Sequence, residues 1–482
     1  MNRDWMLERF ALSAIMVAAL AAYTVPVADS DFWWHLASGR NIVEHGNVPS
    51  EDPFGVFESG DSVRNQTVLQ GQWLGQVLLF HAYRLAGVDG VIALRAAILL
   101  TLLAFACWRC RRDDAPLIAL LGLALAGFLL MGFTGARPQL FSFLAVGALF
   151  AILDRTPRDS LALWWLLPPL FLLWANLHGG FLIGLALLGL WSGVALLESE
   201  FLRRRQWRTF GMILALTFLA TLVSPSGLTT YQYLLQLEGS QLQQRTGEYL
   251  SGLVIYRAGH WSLQIGIWVF YGLAAVAVAL LLRQRVWRQA AVLIALLAAG
   301  MLAYRYVAFL IAIGLPYVIR GWSTGLAVRF APRSRIVGLA VAGILALALA
   351  AGHVARLPHG GVSQRWFPLE AAEALKALDA HGRVFNFMAW GGFLIWHVPG
   401  LQPFIDGRML DPRRLTPYTH ILWTTPEGLD WFRRGNFSWV VLPPRNRFSQ
   451  EPYALHGVLQ ADPRWHLTKV TPVSRVYRRV SP

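Results

Sequence analysis

The chain predicts a mainly α, polytopic membrane protein with interfacial helices in its first exterior loop and a small C-terminal α/β domain. Three observations carry that prediction. Hydrophobic residues make up 56% of the 482-residue chain. Charged residues make up only 14%, against about 25% in a soluble domain. The apolar runs are separated by short arginine-rich linkers. With a mean hydropathy of +0.46, the chain holds more apolar side chain than one core can bury, because a single core stops growing at about 250–300 residues. A secreted, disordered or collagen-like chain is excluded. The net charge of +15 comes almost entirely from arginine, Lys376 and Lys469 being the lysines. No basic stretch interleaves with aromatics as a nucleic-acid stacking platform would. The arginines are therefore read as topology signals.

The elements follow in chain order. Apolar runs approaching the roughly 17–25 residues a span needs lie near 10–28, 88–107, 116–134, 138–154, 161–177, 180–198, 209–224, 263–282, 289–304, 306–320 and 336–354. That is about 11 spans. With the N-terminus inside, every cytoplasmic linker is basic: Arg109, Arg111 and Arg112; Arg155 and Arg158; Arg203, Arg204, Arg205 and Arg208; Arg283, Arg285 and Arg288; Arg320, Arg329, Arg333 and Arg335. This is the positive-inside pattern of a multi-pass cytoplasmic-membrane protein. Cys107 and Cys110 are the only cysteines. They are read as a reduced helix end at the cytoplasmic face, since no second pair completes a zinc site.

This orientation puts outside a long loop (29–87), the turns 135–139 and 176–180, the junction Tyr304-Arg305-Tyr306, a medium loop (225–262) and the tail (355–482). Chemistry is expected on that face. No Walker A or dinucleotide glycine motif occurs, which disfavours ATP or NAD chemistry. The expected domains are 1–354, in the membrane, and 355–482, exterior. The tail reads helix 368–380, strand 382–388, strand 403–408, helix 417–433, strand 437–444, helix 451–460 and strand 465–479. Such alternation predicts an α/β domain.

The first exterior loop opens on Asp29-Ser30-Asp31-Phe32-Trp33-Trp34-His35-Leu36. Helical spacing of Phe32, Leu36 and Val43 predicts a helix over 32–45, lying flat on the membrane with its tryptophans in the headgroup layer. A second interfacial helix is expected from Gln72 to Leu85. One aspartate is a helix cap worth about 1 kcal/mol. Two beside a lipid surface repel each other, which favours a base or cation-ligand role for Asp29 or Asp31. His35 taken alone reads as a satisfied interfacial histidine.

Arg137 and Arg305 lie at exterior ends of spans, against the positive-inside trend. Each alone fits snorkelling to the headgroups; facing one compartment with Asp31, the two fit a phosphate clamp. Arg95 lies about two turns into its span, where a charge is costly. Asn176, Gly179 and Gly180 account for a hairpin turn, leaving His178 to hydrogen-bond a substrate. Glu248 is a further substrate-binding candidate. Asp406 and Arg408, in FIDGR, read as an internal salt bridge or turn.

The string DSDFWWHLASGRNIVEHGNVPSEDPFG resembles the first exterior loop of bacterial and archaeal polytopic membrane proteins with the GT-C glycosyltransferase architecture. Members typically read D-x-D-x-W-W-H-L-x-x-G, then I-P-x-x-D-P-F. ARPQLFSFL, WANLHGGFLIG and WGGFLIWHVPGLQPFIDGR fit the same family, so the resemblance runs over nearly the whole chain. It implies a polyprenyl-phosphate sugar as donor on the exterior face. It also implies a carboxylate in the first exterior loop acting as base or holding a divalent metal, Mg or Mn. That role falls on Asp31 or Asp29, and phosphate binding on Arg137 or Arg305. Relatives often carry Glu-Trp-Leu where this chain has Gln72-Trp73-Leu74, which implies altered acceptor chemistry or a non-catalytic member. The expected function is transfer of a sugar from a lipid-phosphate donor to a glycan, lipid or protein acceptor, with an Asp base. Its rivals are a lipid-linked saccharide transporter or flippase and a polysaccharide polymerase or ligase.

Overall fold

A computed structural model describes residues 3–54, 62–110, 116–155, 160–198, 206–237, 251–253, 261–325, 338, 360–447 and 449–480. The chain is a helical membrane bundle capped at one end by a small sheet. Among the described residues, four helices are long and apolar enough to cross a membrane, and five more apolar helices run 10–17 residues. Many side chains in mid-helix, such as Val17, Leu121, Leu173, Phe218, Val269 and Ile294, are exposed. A soluble fold would bury such residues; a hydrocarbon surround has no reason to. Each expected span coincides with a helix, except 336–354, which apart from residue 338 lies outside the described residues, as does Glu248.

The expected interfacial helices appear as Phe32–His45 and as the first part of Trp73–Cys110. That second helix is irregular at Ala86 (φ −150°) and Gly87 (φ 60°). Gly87 supplies the left-handed residue that separates the interfacial stretch from the span. Cys107 and Cys110 lie in the last turn of the same helix. Among the described residues, three α-helices escaped the sequence reading: Ser62–Gln70, Thr229–Leu237 and Gly391–His397.

One expectation is corrected. Trp33 and Trp34 do not sit among headgroups; they are buried, at 1% and 5% exposure. Trp33 meets Phe367 and Phe393 edge-on, with centroids 5.7 and 5.4 Å away. The tail covers the helix Phe32–His45, so its apolar face packs against protein rather than lipid. Hydrophobic periodicity reports an apolar face and cannot say what covers it.

The tail carries a five-stranded mixed sheet: β1 (Gly382–Asn386), β2 (Leu401–Pro403), β3 (Trp439–Leu442), β4 (Trp465–Val470) and β5 (Arg475–Arg479). Their order is β2-β1-β3-β5-β4. β1 runs parallel to β2 and β3, while β5 is antiparallel to β3 and β4. Parallel neighbours need crossover connections. Helix Gly391–His397 serves β1–β2, and helices Leu415–Leu422 and Pro426–Arg434 serve β1–β3.

Three tail boundaries differ from the sequence reading, each for a local reason. The helix expected over 417–433 is two helices. Thr424 adopts φ 55°, and Thr425 restarts the chain by capping Gly428 N–H at 3.1 Å, ahead of Pro426. The strand expected over 465–479 is a hairpin. Thr471 and Ser474 close its turn with a 2.8 Å backbone bond, around Pro472, which has no N–H to give a ladder. The strand expected over 403–408 ends at Pro403: Phe404 N–H still reaches Val384 O of β1 at 2.9 Å while sharing Asn386 Oδ1 at 2.8 Å, and Ile405 N–H turns to Asn386 Oδ1 at 3.4 Å.

The tail is tied to the exit of the first helix. Val27 N–H donates to Gly361 O, and Ser363 N–H to Val27 O, both at 3.0 Å. Asp89 accepts from Gly361 N–H at 2.8 Å. The tail therefore begins on the same end of the bundle as Asp29 and Asp31.

Candidate active site

Asp29 and Asp31 sit between the first helix and the helix Phe32–His45. Asp29 Oδ1 accepts from Asp31 N–H at 3.0 Å. Its other oxygen accepts from Arg137 Nε at 2.5 Å. Arg137 Nη1 reaches Asp31 Oδ2 at 3.1 Å. One guanidinium thus bridges two carboxylates that would otherwise repel. The Asp29 side chain is 6% exposed and that of Asp31 is 20% exposed. Asp29 is the pinned carboxylate and Asp31 the one a solute can reach. Asp31 precedes the helix but makes no side-chain capping bond, so capping does not account for it.

Arg95 explains how this corner is held. Its buried guanidinium donates to Tyr23 O (3.0 Å), Thr134 O (2.9 Å) and Val25 O. Those carbonyls belong to the end of the first helix and to the turn that carries Arg137. The intramembrane arginine is a structural clamp behind Asp29, fully engaged with backbone.

Beside this corner lies a cavity of about 110 Å³. Asp29, Arg137 and Arg305 form its polar wall; Phe133, Phe143 and Tyr304 form the apolar one. Phe133 stacks on Tyr304 with centroids 4.8 Å apart. A basic rim on an apolar pocket suits an anionic group attached to a hydrocarbon chain.

His178 lies within electrostatic reach of Arg305 and Arg137 but does not line the cavity. Its Nδ1 accepts from Gly180 N–H at 3.0 Å and is 2.7 Å from Ser142 Oγ. Ser142 in turn accepts from Trp174 Nε1 at 2.8 Å. An Nδ1 that accepts from a backbone amide leaves the ring proton on Nε2. Burial, then Arg305 and Arg137, push the His178 pKa down to about 3. The imidazole is neutral at every physiological pH.

The other candidates fall elsewhere. His35 is buried, with its ring tilted 33° against Trp34 and centroids 3.5 Å apart, and accepts from Gln76 Nε2 at 3.4 Å. Burial, then Arg137 and His178, hold its pKa well below the ordinary histidine value. Asn176 is engaged within the bundle, donating to Leu172 O (2.9 Å) and Val223 O (2.8 Å) and accepting from Trp73 Nε1 (2.7 Å). Gln72 precedes the helix Trp73–Cys110 and lines no wall of the cavity. Asp406 and Arg408 do form a buried ion pair, at 2.6 Å, which also takes in Asp52 at 2.5 Å. Sequence reasoning missed Ser142, Tyr304 and Asp52. Ser142 lies within ARPQLFSFL and Asp52 within the first-loop string, but only packing reveals their partners.

The metal reading does not fit the donor set. Among the described residues, no three His, Cys, Asp or Glu side chains gather in a group able to hold an ion. The two aspartates already share Arg137, which occupies the cationic position between them.

No protein-family profile matches the chain, and no curated protein matches it by sequence. Solved structures do match. ArnT from Cupriavidus metallidurans, bound to undecaprenyl phosphate, superposes with a TM-score of 0.57 at 13% identity, covering 100% of this chain and 99% of its own. The archaeal oligosaccharyltransferase AglB from Archaeoglobus fulgidus, in complex with an inhibitory peptide and a dolichol-phosphate, gives a TM-score of 0.56 at 11% identity, covering 99% and 75%. A complex of the Archaeoglobus fulgidus oligosaccharyltransferase with Zn and sulfate gives 0.57 at 12% identity, covering 89% and 68%. The chain therefore has the fold of the GT-C membrane glycosyltransferases, as its motifs suggested.

Proposed function

We propose that this protein is a membrane glycosyltransferase that moves a sugar from a polyprenyl-phosphate carrier to an acceptor hydroxyl outside the cytoplasm. The observation that carries this reading is the Arg137-bridged pair of aspartates, of which Asp29 lines, with Arg137 and Arg305, the polar wall of the cavity. The carriers bound by ArnT and AglB, undecaprenyl phosphate and a dolichol-phosphate, support a lipid phosphate as the leaving group. The cavity's apolar wall suits the first isoprenes, and its arginines suit the phosphate.

Asp31 Oδ takes the proton of the acceptor hydroxyl. The hydroxyl oxygen forms its bond to the anomeric carbon as the bond to the phosphate oxygen breaks, inverting the centre. Polyprenyl phosphate leaves as a stable anion and needs no proton. Arg137 and Arg305 stabilise the charge gathering on that phosphate, and His178 Nε2–H offers it a neutral hydrogen bond. Removing one such donor costs about 10²–10³ in rate. No step is routed through a metal.

The arrangement proposed in the membrane has the N-terminus cytoplasmic, the site on the exterior face and the tail folded over it. The test is direct. Purified protein in nanodiscs is given a panel of radiolabelled polyprenyl-phosphate monosaccharides, with membrane extract as acceptor source. Labelled product with an inverted anomeric centre is expected. Movement of intact donor across the bilayer without product would sink the transferase reading and favour a flippase. Transfer only from a diphosphate-linked donor would favour a polymerase or ligase.

A further inference from the structure

The turn after β2 reaches back to the first exterior loop. Arg408 and Asp406 are fully buried, and the Asp52 side chain is 3% exposed. Burial lowers the Arg408 pKa, but Asp406 and then Asp52 more than offset it and raise it above the ordinary value. Arg64, from the helix Ser62–Gln70, donates to Arg408 O at 2.9 Å and to Met409 O. On the other side Asn386 Nδ2 donates to Ile405 O at 2.8 Å. The turn is thus fixed both to the tail sheet and to the first exterior loop.

Gly407 stands between the two anchored residues, against Asp31. A Cβ placed on it would overlap Asp31 Oδ1 and lie 3.3 Å from both Asp31 Cγ and Trp34 Nε1. Its φ lies outside the left-handed region, so backbone freedom does not explain the glycine. What a methyl would strike is the tip of a flexible side chain, which can swing away at small cost to the fold. Gly135 bears the same relation to Asp29, whose Oδ2 would lie 2.7 Å from its Cβ.

We propose that Gly407 is a positioning residue for the transfer reaction: the anchored Asp406-Gly407-Arg408 turn of the tail is the wall that fixes where the Asp31 carboxylate stands. This rests on the reading of Asp31 as base. It makes the active site a joint construction of the first exterior loop and the tail, which is more than a cover.

Gly407→Ala separates this from a structural role. The expected result is a kcat lower by about 100-fold, the cost of misplacing a reacting group by about 1 Å. The donor KM should stay within about twofold, because Arg137 keeps its bond to Asp29 and Arg305 is untouched. Tm should stay within about 2 °C, because the side chain and not the backbone absorbs the methyl. Gly457→Ala is the control. It lies in the helix Leu455–Ala461 of the same tail with nothing within 4 Å of its Cβ, and should behave as wild type. A second readout needs no turnover. Coupling of glycine ethyl ester by carbodiimide, followed by mass spectrometry, should show Asp31 labelling changed several-fold and Asp406 labelling unchanged. Unaltered kcat with unaltered Asp31 labelling overturns the proposal. So does a large fall in Tm, which would mean the methyl displaced the backbone. If Asp31→Asn keeps full activity while Gly407→Ala shifts the labelling, the base assignment fails and the positioning contact stands.

Discussion

At the residue scale, the central feature is a division of labour between two carboxylates two residues apart. Asp29 is nearly enclosed and held by Arg137 Nε, whereas Asp31 shares the same guanidinium and keeps an exposed face. Arg137→Ala removes the bridge and one wall of the cavity together. It should weaken binding of undecaprenyl phosphate at least tenfold in a tritiated-lipid assay, and unchanged affinity would return Arg137 to headgroup snorkelling. Because Arg137 fills the cationic position, transfer should survive EDTA; activity lost to the chelator and restored by Mg or Mn would contradict the account. His178 gives a pH prediction. Its native pKa is depressed to about 3 from 6.5. Below pH 6.5 the unfolded chain takes up a proton that the native state refuses. Stability should therefore fall as pH drops from about 6.5 toward 3, and His178→Gln should flatten that slope in thermal-melt series.

At the element scale, the helix Phe32–His45 decides the architecture. It lies between the helix Trp73–Cys110 and the tail helix Gly391–His397, and its N-terminal half is buried throughout. Its residue range was legible from the spacing of Phe32, Leu36 and Val43, because periodicity fixes length and face. Its environment was not legible, because an apolar face is the same whether lipid or protein covers it. The Asp406–Arg408 pair was expected from FIDGR, since opposite charges two residues apart in a turn can meet. The third partner, Asp52, was not, since it lies 356 positions from Arg408 in the chain. The buried triad makes its own prediction. Arg408→Met leaves Asp52 and Asp406 buried and unpaired, which costs about 3–5 kcal/mol and should show as a marked loss of stability in detergent melts. Stability equal to wild type would mean that water enters the pair.

At the scale of the whole molecule, polar chemistry gathers at one end of the bundle. The helix Gln139–Arg155 starts beside the cavity and ends at Asp154, which pairs with Arg109 at 2.7 Å and accepts from Tyr317 Oη at 2.9 Å. Fifteen residues at 1.5 Å each put that cluster about 22 Å from the site. In the proposed orientation that cluster lies at the cytoplasmic end. Cysteine-accessibility labelling should find positions 203–208 reactive from inside and 360–447 from outside; a tail reactive from inside would detach it from the proposed exterior chemistry. The measurement that bears most directly on the account compares Asp31→Asn and Asp29→Asn in the same nanodisc transfer assay. Asp31→Asn should bind the polyprenyl-phosphate donor as wild type does and transfer nothing. Asp29→Asn should keep measurable transfer with weakened donor binding, because it loosens Arg137 without removing the base. Wild-type turnover by Asp31→Asn would contradict the account.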